Sequence, residues 1–228
     1  MMYDILLQLP LFQGLSQEQL TLIIEKIPFH FRKFRSNEYL IHEGDECKDI
    51  IFILSGRVRM ITPTFKTSIL IAEDFVAPYT VPFTSFFWSD TTSRCSIYAQ
   101  GQVGAMVLDK TNFLNLIESN RVMLVNVLNI LSANAQKRYL AMDSMAEKDP
   151  GVKLARWLLA YTSYLAKNIV VDAEMQDWCA MLNLEEPVLR RAIMQLTEEG
   201  CVEAQEGKIK LSDRYGLRTF VSRNTATK

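Results

Sequence analysis

Asp177-Trp-Cys-Ala-Met-Leu-Asn-Leu-Glu-Glu-Pro-Val-Leu-Arg-Arg191 reads as two short helices joined by a tight turn. Trp178, Met181 and Leu182 share one face of the first helix, and Asn183 tolerates the left-handed backbone that the turn requires. Pro187 suits the first turn of a second helix, in which Leu189, Ile193 and Leu196 point inward and Glu186, Arg190, Arg191 and Met194 face out. Working outward, Asp149-Pro150 is a helix start, with Asp as N-cap and Pro at the first helical position. Helical patterns run over Val152 to Lys167, Glu174 to Leu182 and Pro187 to Glu199; Cys201 to Leu211 then forms two short strands about a Glu206-Gly207 turn. Three helices and a hairpin in residues 149–228 make a winged helix-turn-helix, whose second helix fits a DNA major groove.

Upstream, Val122 to Ala146 contains neither Pro nor Gly. Leu124, Leu128, Leu131, Ala135, Met142 and Met145 lie on a heptad seam interrupted at Arg138, so residues 121–148 are expected to dimerise. The competing reading is a helix packed on its own β domain. Residues 1–120 carry short strands at Phe29 to Phe34, Tyr39 to His42, Asp49 to Leu54, Arg57 to Thr62, Thr67 to Ile71, Ser96 to Tyr98 and Val103 to Leu108, the spacing of a small barrel or sandwich. Ser16 caps an amphipathic helix with Leu20, Ile23, Ile24 and Ile27 on one face, and Lys110 to Ser119 is helical.

The 228 residues are 49% hydrophobic and 22% charged, ordinary globular usage that excludes a mainly disordered chain. Asp49, Glu73, Asp109 and Asn126 break every apolar run short of a membrane span, and Met1 to Phe12 lacks the basic start of a secretory signal, so no membrane partner and a cytosolic location are expected. Cys47, Cys95, Cys179 and Cys201 have no metal-ligand spacing and read as packing thiols. A net charge of −1 excludes bulk attraction to nucleic acid, so any DNA contact must be local. Two histidines are too few for a metal-binding jelly-roll enzyme, and no nucleophile–base motif is present.

Leu11-Phe-Gln-Gly-Leu-Ser16, Ile41-His-Glu-Gly-Asp45, Ile51-Phe-Ile-Leu-Ser-Gly-Arg-Val58, the long helix and the terminal Gly207-Lys-Ile-Lys-Leu-Ser-Asp213 together resemble the Crp/Fnr family, bacterial transcription factors named for the cyclic-AMP receptor protein and the fumarate–nitrate regulator. The resemblance implies an α+β chain: a cyclic-nucleotide-binding-type β-roll (jelly roll), a dimerisation helix and a C-terminal winged helix-turn-helix. It implies a homodimer on a near-palindromic duplex, with RNA polymerase as a candidate further partner. Gly44 and Gly56 sit where turns between roll strands ask for positive φ.

Two departures from the family pattern shape the expected sites. The namesake's recognition helix begins Ser-Arg-Glu-Thr-Val-Gly-Arg; here Glu185-Glu-Pro-Val-Leu-Arg-Arg191 keeps only the last arginine, so the family's usual half-site is not expected. Candidate DNA contacts are Gln176, Glu186, Arg190, Arg191, Lys208 and Lys210, within a segment, 172–212, that holds nine acids against four bases. Arg214, Arg218, Arg223 and Lys228 downstream partly offset that charge. Secondly, the phosphate-binding cassette implied by the resemblance is replaced by Glu73-Asp-Phe-Val-Ala-Pro78, whose acids repel phosphate and whose Pro78 has no N–H, so cyclic AMP is not the expected effector. Phe75, Tyr79, Phe86, Phe87 and Trp88 either fill the vacated space or line a pocket for an apolar or aromatic molecule, with Arg94 or Ser96 as polar handle. No cofactor is expected, because the cysteine cluster of iron–sulfur sensors is absent and only His30 and His42 could meet a haem. The rival reading is a dimeric sensor or protein-interaction module that has lost sequence-specific DNA binding, favoured by the acidic head.

Overall fold

The computed structural model describes residues 2–64, 67–87 and 89–225. The chain forms two units: residues up to 60 with 75–134, and 61–74 with 135 onward.

In the first unit, α1 (Met2–Leu7) and a 3-10 turn at Pro10–Phe12 precede α2 (Gln17–Lys26). Ser16 caps α2 as expected, its Oγ accepting from Gln19 N–H while the Gln19 side chain accepts from Ser16 N–H. The strands are β1 (His30–Phe34), β2 (Tyr39–Ile41), β3 (Asp49–Ser55), β4 (Arg57–Pro63), β5 (Leu70–Val76), β6 (Tyr79–Thr80), β7 (Ser96–Ala99) and β8 (Val103–Asp109). β4 ends and β5 begins in the second unit. β1, β8, β3 and β6 form one antiparallel sheet in that order, and β2 pairs with β7. Gly56, at φ 91°, is required between β3 and β4, since a Cβ there would lie 2.3 Å from the Gln102 carbonyl oxygen. The core holds Leu6, Phe12, Leu20, Phe52, Met106 and Phe113, closed by α3 (Lys110–Ser119) and the first half of α4 (Arg121–Met145). Met123 and Val127 of α4 are buried there, and Asn126 Nδ2 donates to the carbonyls of Leu11 at 2.9 Å and Gln13 at 2.8 Å.

The second unit contains α5 (Pro150–Tyr161), β9 (Asn168–Asp172), α6 (Met175–Leu182), α7 (Glu186–Glu198), β10 (Val202–Gln205), β11 (Lys208–Leu211) and α8 (Arg214–Thr225). Asp149 caps α5 by accepting from Val152 N–H, with Pro150 following. Two elements correct the sequence reading. The helix expected to reach Lys167 stops at Tyr161: the Thr162 hydroxyl bonds back to the Leu158 carbonyl, and the β-branched Ile169, Val170 and Val171 form β9 instead. A fourth helix, α8, lies beyond the three that the pattern predicts; it buries Leu217 and Phe220 at helical spacing.

β10, β11, β9 and the start of β5 are successive antiparallel strands, and Ile209, Val171 and Ile71 lie directly opposite one another in a buried row. Ile69 and Ile71 thus belong to the core of Trp157, Trp178, Leu189 and Phe220. Beside this sheet Glu73 is buried, its Oε1 accepting Ser163 N–H at 2.5 Å. Burial pushes the Glu73 carboxyl above its ordinary 4.5, outweighing the hydrogen bond and the charges of Lys137 and Arg214, which pull it down. An acid raised on folding binds more protons in the native state, so its contribution is fully present at low pH and is lost as pH rises from the unfolded value through the raised one. Glu73→Gln is therefore expected to gain stability relative to wild type as pH rises from 4 to 8, read as the difference between the two unfolding midpoints at each pH. A difference that stays constant with pH would contradict this account.

Candidate nucleic-acid interface

The turn between α6 and α7 is built from three local devices. Asn183 adopts φ 50°, ψ 55°, the left-handed conformation expected of it, and Leu184 N–H donates to the Cys179 carbonyl at 3.0 Å. Lys153 is buried, and its Nζ donates to the Leu182 carbonyl at 3.3 Å, placing a cation at the negative end of α6. Pro187 occupies the first turn of α7. Leu189, Ala192 and Leu196 anchor α7 in the core, so Glu186, Arg190, Arg191 and Met194 stand exposed on its outer surface as expected.

Beyond α7, β10 and β11 form the wing. Glu206 at φ 48° and Gly207 at φ 83° make the tight turn, where a Cβ on residue 207 would lie 2.8 Å from the Ala173 carbonyl oxygen. A groove of about 350 Å³ runs between α6, α7 and the wing, lined by Met175, Trp178, Ile193, Met194, Arg190 and Lys208 among others. Gln176 is exposed on the first turn of α6, and Lys208 and Lys210 on β11.

Acids inside the unit engage most of the head's basic side chains. Arg190 meets Glu186 Oε1 through Nε at 2.8 Å and a terminal nitrogen at 2.6 Å. Lys208 pairs with Asp172 at 3.1 Å, Lys210 with Glu203 at 3.0 Å and Arg223 with Glu199 at 2.5 Å. Hydrogen bonds from Lys210 and Ser212 hold the Glu203 carboxyl below its ordinary value. Arg214 faces inward, donating to Thr162 Oγ1 and to the carbonyls of Leu159 and Thr162 at the end of α5. It caps that helix and does not add to a DNA-facing charge. Lys228 lies outside the described residues. Of the four bases in 172–212, Arg191 is the one with no acid partner among the described residues.

The residues proposed for an effector fall into separate environments. Phe75 and Tyr79 are buried and stacked, 4.1 Å between ring centroids. Phe86 packs edge-on to Phe87 and Phe113 at 5.6 and 5.7 Å, inside the first unit's core. Trp88 lies outside the described residues. Arg94 is exposed and ion-paired to Asp90, and the Ser96 hydroxyl accepts Glu43 N–H at 2.9 Å. Among the described residues no cluster of His, Cys, Asp or Glu is arranged to hold a metal, and all four cysteines are free thiols.

Along α4, Leu124, Leu128, Met142 and Met145 are exposed, joined by Val125, Tyr139 and Leu140; Ala135 is exposed as well and Leu131 half-buried. No described helix is long and apolar enough to cross a membrane.

Comparison with known proteins agrees with this architecture. Residues 31–120 match the model of the cyclic nucleotide-binding domain, and residues 152–220 that of the Crp-like helix-turn-helix domain. Solved structures of similar fold include the catabolite activator protein of Thermus thermophilus, at 17% identity over 94% of this chain and 99% of that one, with a TM-score of 0.54. A Crp/Fnr-family protein from Eubacterium rectale shares 18% identity over 93% of this chain and 98% of its own, at 0.50. A CooA variant from Carboxydothermus hydrogenoformans shares 17% over 90% and 92%, also at 0.50. No curated protein matches the chain by sequence.

Proposed function

The chain belongs to the Crp/Fnr family of DNA-binding transcription regulators, and from that premise we propose that it acts as a homodimer on a near-palindromic operator, under control of a small-molecule effector other than cyclic AMP. The observation that carries this reading is the pairing of an outward α7 bearing Arg191 with an exposed apolar face on α4. Burying Leu124, Leu128, Ala135, Met142 and Met145 against a second copy removes that surface from water and brings two recognition helices into one molecule. Glu73 and Asp74, both buried in strand pairing, support an effector that is not a phosphate.

Selection of the purified protein against a random duplex pool, at low and at physiological salt, tests the proposal. A palindrome is expected, and Leu128→Glu is expected to give monomers that bind it at least tenfold more weakly, because the second half-site loses its tethered partner. The alternative, a protein-interaction module, draws support from the acids that already hold Arg190, Lys208 and Lys210. Recovery of no sequence, with and without a cell extract, would favour it.

A further inference from the structure

Residues 61–74 fall inside the stretch that matches the cyclic nucleotide-binding domain, yet they fold with the unit that carries the helix-turn-helix match. The attachment is extensive. Leu70, Ile71, Ala72, Glu73 and Asp74 stand opposite Asp172, Val171, Val170, Ile169 and Asn168 in an antiparallel ladder. The Asp74 carbonyl accepts Lys167 N–H at 2.8 Å, and its side chain accepts from Asn168 Nδ2 at 3.0 Å.

At the other end of this segment Ser68 sits on the start of α6. Its N–H donates to Asp177 Oδ2 at 2.6 Å, and its Oγ accepts Glu174 N–H at 2.9 Å. The Ser68 side chain and backbone N–H hold the Asp177 carboxyl below its ordinary value, and the bond from Glu174 N–H takes up a backbone donor at the positive end of the first helix of the DNA-reading pair. The first helix of such a pair crosses the DNA backbone, and helix N-termini supply N–H groups to phosphate oxygens.

We propose that residues 67–74 are an autoinhibitory clasp: while β5 is paired with β9, Ser68 occupies the N-terminal turn of α6 and excludes a DNA phosphate from it. The inference rests on the DNA-binding function proposed above. Releasing β5 leaves β9 paired to β11 on its other edge but withdraws Ile69 and Ile71 from the core, so the clasp opens only where DNA or effector binding offsets that loss. Ligand events in the matching nucleotide-binding stretch then have a direct covalent route to the DNA-reading helices, because β5 continues from one into the other.

The test is a reversible lock. Ala72 and Val170 are directly opposed and only partly buried, and facing residues of antiparallel strands stand at about 4.5–5.5 Å between Cα atoms, within disulfide reach. The double variant Ala72→Cys/Val170→Cys is expected to bind a mixed-sequence duplex at low salt at least tenfold more weakly when oxidised than when reduced, with wild-type protein under the same oxidant unchanged. Ser68→Ala, which removes one tie and leaves the ladder, is expected to bind several-fold more tightly than wild type. Equal affinity of the oxidised and reduced forms would overturn the clasp while leaving the DNA-binding reading intact. Absence of duplex binding by wild type and by the reduced variant would overturn that reading and the clasp with it.

Discussion

Replacing Arg191 by alanine is expected to weaken binding to a selected operator by about 1–3 kcal/mol per half-site, five- to more than a hundredfold, and to relax base preference at one position in each half. Arg191 carries this weight because it is exposed on α7 and has no acid partner among the described residues. Its guanidinium is thus available for the bidentate contact to a guanine edge that sequence-specific proteins use most often. Arg190 provides the contrast. Both of its contacting nitrogens already rest on Glu186 Oε1, so Arg190→Ala exchanges one exposed ion pair for a freed carboxylate, a change of about 1 kcal/mol or less in stability. Titrating each variant against the selected duplex and against single-base substitutions of it separates the two. An Arg191→Ala protein that keeps wild-type affinity and base preference would remove α7 from the reading surface.

Trp157→Ala is expected to destabilise the second unit by about 3–5 kcal/mol, a large share of the roughly 5–15 kcal/mol that holds a domain folded. Trp157 is fully buried, stacked on Tyr161 at 4.7 Å between centroids and meeting Trp178 edge-on at 4.9 Å. Alanine would leave a cavity beside three helices of the same core. The indole nitrogens of Trp157 and Trp178 are buried without a hydrogen-bond partner, so Trp157→Phe, which removes one such donor along with some volume, should cost distinctly less. Denaturant midpoints for the two variants check the order; near-equality of Trp157→Ala with wild type would mean that the site collapses around the lost ring.

Ser16, Asp149-Pro150 and Asn183 were legible because each does its work within three or four residues, and the structure shows all three in the roles their types suggest. The faces of α7 were legible for a similar reason, since the period of a helix assigns burial to Leu189 and exposure to Arg191 without reference to any neighbour. The pattern over Thr67 to Ile71 announced a strand, which forms three residues later as β5, Leu70–Val76, with Ile69 just before it. It could not announce that β5 ends on β9, about a hundred residues later, because a pleated face reports that it is covered and not by what. Arg214 misled in the opposite sense: a basic residue near the chain's end counts toward DNA-facing charge until its contacts with Leu159 and Thr162 are seen. The aromatic run from Phe75 to Phe87 was conspicuous, and proximity in sequence suggested one lining; the stack of Phe75 on Tyr79 and the cluster about Phe86 are two different environments.

The interleaving of the two units by the β4–β5 hairpin also bears on how such a chain can be inherited. A gene break anywhere between residues 135 and 149 would deliver α5 through α8 without the strand that covers β9 and without Ile69 and Ile71, leaving a sticky sheet edge and an unfilled core. Recombination that swaps a DNA-reading head onto another sensor therefore succeeds only when the incoming sensor brings a hairpin that fits, so the two parts, though separable in name, are constrained to change together.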